Sequence, residues 1–114
     1  RAIGWLTARM TTPSPDGRAI VDQLIRDFDP QVAQAVGDAL RRYDLTDNAM
    51  AFEGPFLIIR GDRDVAINRA LDPKIEALKA RPNVTVVDLD GAGHCANLDT
   101  PDAFRETVTR FISR

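Results

Sequence analysis

Gly54-Pro55-Phe56-Leu57-Ile58-Ile59-Arg60-Gly61-Asp62-Arg63-Asp64 is the stretch that decides the fold. Its centre, Phe56 to Ile59, is a short apolar run bounded by Gly54-Pro55 and Gly61-Asp62, as expected of a strand buried on both faces of a parallel sheet. Downstream, Asp72-Pro73 is expected to open a short helix through Ile75 and Leu78, terminated by Arg81-Pro82-Asn83. Val84-Thr85-Val86-Val87 is a second, β-branched strand, broken by Gly91-Ala92-Gly93. Thr100-Pro101 then starts a last helix, with Phe104, Val108, Phe111 and Ile112 on one face. The order strand, helix, strand, helix implies an α/β fold built on a βαβ unit with a right-handed crossover.

Upstream of Phe52 the pattern changes, because residues 1–51 hold no strand-like run and their apolar residues recur at helical spacing. Ile20, Val21, Leu24, Ile25 and Phe28 form one stripe after a Pro13-Ser14-Pro15-Asp16-Gly17 breaker that should sit in a turn. Asp29-Pro30 reads as an N-cap and first helical residue, since Asp accepts from free amides and Pro lacks the donor that would be orphaned there. Val32, Val36 and Leu40 carry a second stripe, so the first half reads as two or three short helices. Trp5, Leu6 and Met10 fit either a pocket wall or plain core.

Composition narrows the function. The 17 Asp and Glu against 15 Lys and Arg leave a net charge of -2, which gives no electrostatic footprint for nucleic acid. No apolar run is long enough to span a bilayer, so no membrane role is expected. Cys95 is the single cysteine; it can form no internal disulfide and fits a reducing, cytoplasmic setting. One histidine with scattered carboxylates lacks the ligand spacing of zinc or calcium sites, so no metal is expected. Two parallel strands make a poor sheet by themselves, and the chain starts at Arg1 in mid-pattern. Both features lead us to expect partner strands in preceding sequence, or an exposed sheet edge that pairs with a second copy as a homo-oligomer.

Open parallel sheets gather their chemistry at the carboxyl ends of the strands. Two polar clusters fall there: Gly61-Asp62-Arg63-Asp64 after the first strand, and Gly91-Ala92-Gly93-His94-Cys95 after the second. The only histidine is thus expected at the same sheet edge as an acidic pair. A carboxylate that accepts from one ring nitrogen fixes the tautomer and leaves the other as a general base. The competing expectation is structural: the two aspartates cap a turn and His94 packs in a loop. Cys95 with His94 is a rival nucleophilic pair, but adjacent residues project in different directions, which favours a small loop residue near the site.

The ordered set from Pro55 to Ile112 resembles the C-terminal part of the α/β-hydrolase superfamily: Pro and an apolar strand, Gly-x-x-Asp at Gly61 to Asp64, a helix near Ile75, a strand near Val86, Gly93-His94, a Pro101-led turn and a final amphipathic helix. Residues 52–114 would then be the C-terminal βαβα part of the hydrolase core. Residues 1–51 resemble, more weakly, the helical cap segment such enzymes insert before this strand, with Asp44 and Leu45 where the cap returns to the core. The resemblance implies Asp64 as catalytic acid, with Asp62 its near rival, and His94 as catalytic base. It implies Ser-His-Asp hydrolysis of a small-molecule ester, lactone or similar carbonyl substrate, with no cofactor. Ala96-Asn97-Leu98-Asp99-Thr100-Pro101 is similar to the corresponding loop of enol-lactone hydrolases and related esterases; Asn97 and Asp99 equally suit loop and helix-start amides.

The family's nucleophile belongs to a Gly-x-Ser-x-Gly elbow, and this sequence has none. Its serines are Ser14, between two prolines, and Ser113, near the C-terminus. The chain by itself is therefore expected to be inactive and to need an N-terminal portion of the same enzyme that carries the nucleophile. A hydrolase-like protein that binds a ligand or partner without catalysis is the alternative.

Overall fold

In the computed structural model, which describes residues 2–113, strands β1 (Phe56–Gly61) and β2 (Val84–Leu89) run parallel, in register from Phe56 opposite Val84 to Gly61 opposite Leu89. Helix α5 (Val65–Lys79) makes the crossover between them. Before the strands come α1 (Ala2–Thr11), α2 (Pro15–Asp27), α3 (Pro30–Leu40) and α4 (Thr46–Ala51); after them come α6 (Ala96–Asp99) and α7 (Pro101–Ile112). The fold is mixed α/β, with the expected strand, helix, strand, helix order in its second half. Among the described residues no helix is long and apolar enough to cross a membrane.

Several boundaries differ from expectation. The crossover helix begins at Val65, and Pro73 lies inside it rather than at its start. Ile67, Leu71, Ile75 and Leu78 share one helical stripe that runs through the proline, with Ile75 and Leu78 buried. Proline cannot donate to the Arg69 carbonyl, but both residues are exposed, so water can satisfy it. The Pro13 to Gly17 breaker is likewise shorter than a turn of that length. Ser14 caps α2 by accepting from the Gly17 N–H at 3.1 Å, Pro15 is first in the helix, and Gly17 lies within it. Asp29 and Pro30 start α3 as expected, with the Gln31 N–H donating to Asp29 at 2.8 Å.

Burial departs further. The first strand, expected to be buried on both faces, is half-buried from Phe56 to Ile59, as the second is from Val84 to Val87, because a sheet of two strands offers faces that few helices cover. The core is small: Leu89, Ala92 and Ala96, with Ile59, Val87 and Phe104 packed against them. Phe104, Val108 and Phe111 face inward on α7, whereas Ile112 is 74% exposed, off the stripe assigned to it. The α3 stripe of Val32, Val36 and Leu40 is exposed, as are Trp5, Leu6 and Met10 on α1, which are therefore not core. The Arg9 guanidinium lies 5.0 Å from the centre of the Trp5 ring instead.

Polar ties fix how the pieces meet. Arg60 on β1 forms a two-pronged pair with Asp88 on β2, at 2.6 and 2.9 Å, and reaches Asp72 on α5 at 3.0 Å. These carboxylates raise the Arg60 pKa against the opposing effect of burial. At the other end of the strands the Asn83 amide donates to the carbonyls of Phe52 and Gly54, both at 2.8 Å, and so anchors the entry to β1. Asp44 accepts from the Thr46 hydroxyl at 2.5 Å and the Thr46 N–H at 3.0 Å, with Lys74 of α5 at 3.4 Å. Those bonds, Thr46's first, pull its carboxyl down to about 2 and tie α4 to the crossover helix.

Candidate active site

The loops leaving the two strands are held together by backbone. Past Gly61, the Asp62 N–H donates to Leu89 O at 3.1 Å and the Arg63 N–H to Ala92 O at 2.9 Å. A Cβ at Gly61 would collide with the carbonyl oxygens of Ala92 and Gly93 and stand 2.6 Å from the Ala92 carbonyl carbon. Only glycine allows that approach. It sets the distance between the loop that carries Asp64 and the loop that carries His94.

Asp64 turns the chain into α5. Its N–H donates to Gly61 O at 3.2 Å, its carbonyl accepts from the Asn68 N–H at 2.9 Å, and the Asn68 amide returns to Gly61 O at 2.8 Å. Although it occupies the N-cap position, its side chain makes no capping hydrogen bond. The carboxylate is directed across to His94, with Nδ1 and Oδ2 2.7 Å apart. An ionised carboxylate only accepts, so Nδ1 carries the proton and Nε2 presents a lone pair. The Asp64 side chain is 14% exposed and that of His94 55%, which leaves the acid shielded and the base open to an incoming group. Asp62, the rival acid, is exposed and makes no side-chain hydrogen bond among the described residues.

His94 is flanked by two anchors. On one side the Gly93 N–H donates to Asp99 Oδ2 at 2.8 Å; on the other the Cys95 N–H donates to Thr11 O at 3.2 Å. Asp99 Oδ1 also accepts from the buried Thr12 hydroxyl, and from the Ser14 N–H at 3.1 Å. Gly93 sits so close to the α1–α2 corner that a Cβ there would lie 2.7 Å from Thr11 O. Asp99 thus serves loop amides, as one expectation had it, but the α7 start takes no side-chain cap. Thr12 carries no signal that the sequence reading singled out: its role comes from a partner far along the chain.

Cys95 is half-buried, and burial first, then the charge of Asp99, pushes its thiol up. It makes no hydrogen bond with His94, which suits a loop residue and not a nucleophile. Neither serine is bonded to His94 among the described residues; Ser14 is engaged as the cap of α2. Among the described residues no three His, Cys, Asp or Glu side chains gather as a metal site. A cleft of about 670 Å³ lined by Glu53, Pro55, Pro82, Asn83, Thr85, Phe111 and Ile112 lies at the opposite end of the strands. The pair can therefore hold and move a proton at an open face, which is the acid and base part of nucleophilic acyl transfer. No family model, curated protein or solved structure matches the chain.

Proposed function

We propose that this chain supplies the acid and base of a Ser-His-Asp hydrolase of the α/β-hydrolase superfamily, acting on an ester, lactone or similar small carbonyl substrate. The observation that carries the proposal is the 2.7 Å contact between Asp64 and His94, formed across the carboxyl ends of two parallel strands. In this reading a serine from polypeptide outside the present sequence attacks the substrate carbonyl while His94 Nε2 takes its proton. His94 then returns the proton to the leaving group, and a water repeats the cycle to release the acid. Asp64 holds the ring in register and stabilises the imidazolium. The oxyanion donors also belong to that outside polypeptide, and no cofactor enters. The lone thiol suits a cytoplasmic setting.

The full-length enzyme, assayed on a short-chain activated ester, tests this. His94→Ala should lower kcat by about a hundredfold or more, and Asp64→Asn should also lower it, by leaving the imidazole in the wrong tautomer. Undiminished activity in His94→Ala would overturn the assignment. A second reading, a hydrolase-like protein that binds a small ligand or partner without turnover, is favoured by the lack of any hydroxyl or thiol bonded to His94 among the described residues. A Gly-x-Ser-x-Gly segment after a strand in the encoded polypeptide supports the enzyme, and its absence the binder.

A further inference from the structure

We infer that Asp99 is the positioning residue of the site, the group that holds the His94 backbone where its ring meets Asp64. This rests on the hydrolase reading for its functional meaning, although the geometry stands without it. One carboxylate gathers three donors from two distant parts of the chain: the Gly93 N–H on Oδ2, and the Thr12 hydroxyl and Ser14 N–H on Oδ1. Gly93 immediately precedes His94. The residue that follows His94, Cys95, is anchored to Thr11, in the same α1–α2 corner. That corner is stiffened in turn, because the Arg18 guanidinium donates to Thr12 O at 2.9 Å and Ser14 caps α2. His94 is thus suspended between two ties to one corner, and Asp99 makes the charged one.

The chemistry of the three donors explains why the group must be a carboxylate. Each oxygen faces a backbone N–H, which can only donate: Gly93 on Oδ2 and Ser14 on Oδ1. An asparagine in the same place would turn its NH₂ toward either the Gly93 N–H or the Ser14 N–H, and would lose that one of the two backbone bonds. Asp99 bonds to Gly93, Thr12 and Ser14 and not to the His94 ring, so it acts through the His94 backbone.

The test uses the full-length enzyme, by NMR, with the downfield Nδ1–H resonance of His94 as the readout of the His94–Asp64 bond. In Asp99→Ala, which removes both oxygens, that resonance should broaden or vanish, and the Gly93 amide should exchange roughly ten- to a hundredfold faster, the loss expected for a hydrogen bond to a charged acceptor. Thr12→Val, which removes the hydroxyl donor, should weaken the resonance, and Thr12→Ser should restore it. Asn83→Ala, at the opposite end of the strands, lowers stability without touching the clamp and should leave the resonance in place. A resonance retained in Asp99→Ala, or lost equally in Asn83→Ala, would overturn the positioning role. Absence of the resonance from the unsubstituted enzyme would instead overturn the Asp64–His94 pair on which the functional reading rests.

Discussion

Replacing Gly61 by alanine should loosen the site from a position that no substrate touches. The added Cβ meets the carbonyl carbon of Ala92 at 2.6 Å, where ordinary contact begins at 3.4 Å, and the carbonyl oxygens of Ala92 and Gly93 closer still, so the two loops must part by at least about 0.8 Å. The obstacle is backbone on both sides, and no rotamer change relieves it. Applied to the 2.7 Å separation of Asp64 and His94, an opening of that size leaves about 3.5 Å or more, beyond hydrogen-bond reach. Overpacking of this kind costs about 1–3 kcal/mol, offset by about 0.4–1 kcal/mol from the less flexible unfolded chain. The net loss of up to about 2.5 kcal/mol should lower Tm by up to about 10–20 °C in a domain of this size. Urea and thermal unfolding followed by circular dichroism measure the stability, and the His94 Nδ1–H resonance reports the pair. Gly37→Ala is the control: its Cβ would meet only the Arg41 guanidinium at 3.7 Å, within α3, so it should stabilise by about 0.5–1 kcal/mol. A Gly61→Ala chain with unchanged Tm and an intact resonance would show slack between the loops and refute the close-approach account.

Arg60→Met should cost about 1 kcal/mol at neutral pH, kept small because Asp72 and Asp88 are about half exposed. Arg60 holds the Asp88 carboxyl below its usual value, so the stability it lends is present above that value and is lost as pH falls through the lowered one; acid titration of unfolding should show the variant's deficit shrinking below about pH 4. By the same sign, Asp44 should titrate at about 2 by carboxyl NMR, and Thr46→Val should move it back toward 3.8; an unmoved value would discount the Thr46 bonds. Cys95 should react slowly with iodoacetamide at neutral pH, speeding up only above the ordinary thiol value of 9.0. Its neutral form favours the fold below that value and ceases to do so as pH rises through the higher folded one, so fast alkylation at pH 7 would contradict the burial described.

The sheet edge was legible because its signals are local. Phe56 to Ile59 and Val84 to Val87 mark strands by composition alone, and the loop after each follows by counting. From there Asp64 and His94 fall at one edge whatever the helices do. Helix boundaries fared worse where one residue carries two meanings. Pro73 reads as a helix start, yet the stripe from Ile67 to Leu78 carries the helix through it. Ser14 and Pro15 read as turn residues, yet Ser14 caps α2 through the Gly17 amide and Pro15 opens it, because proline and serine suit a helix start as well as a turn. The Asp99 clamp was hidden for a different reason: the residues it joins are a long sequence separation apart, and no spacing rule connects a threonine just after α1 with an aspartate at the end of α6.

The same separation orders the events of folding. His94 and Asp64 lie 30 residues apart, whereas Thr12 and Asp99 lie 87 apart. Closing the longer loop costs roughly 1 kcal/mol more in chain entropy, so the strand-crossover-strand unit should form first and the N-terminal corner should dock onto it afterwards. Pulse-labelling of amides during refolding should therefore protect β1 and β2 before Gly93, whose amide waits for the docked corner. The histidine would meet its aspartate early and loosely, and its backbone would be locked only when residues from the beginning of the chain arrive, so truncating α1 should spare the sheet while leaving the proton-carrying pair adrift.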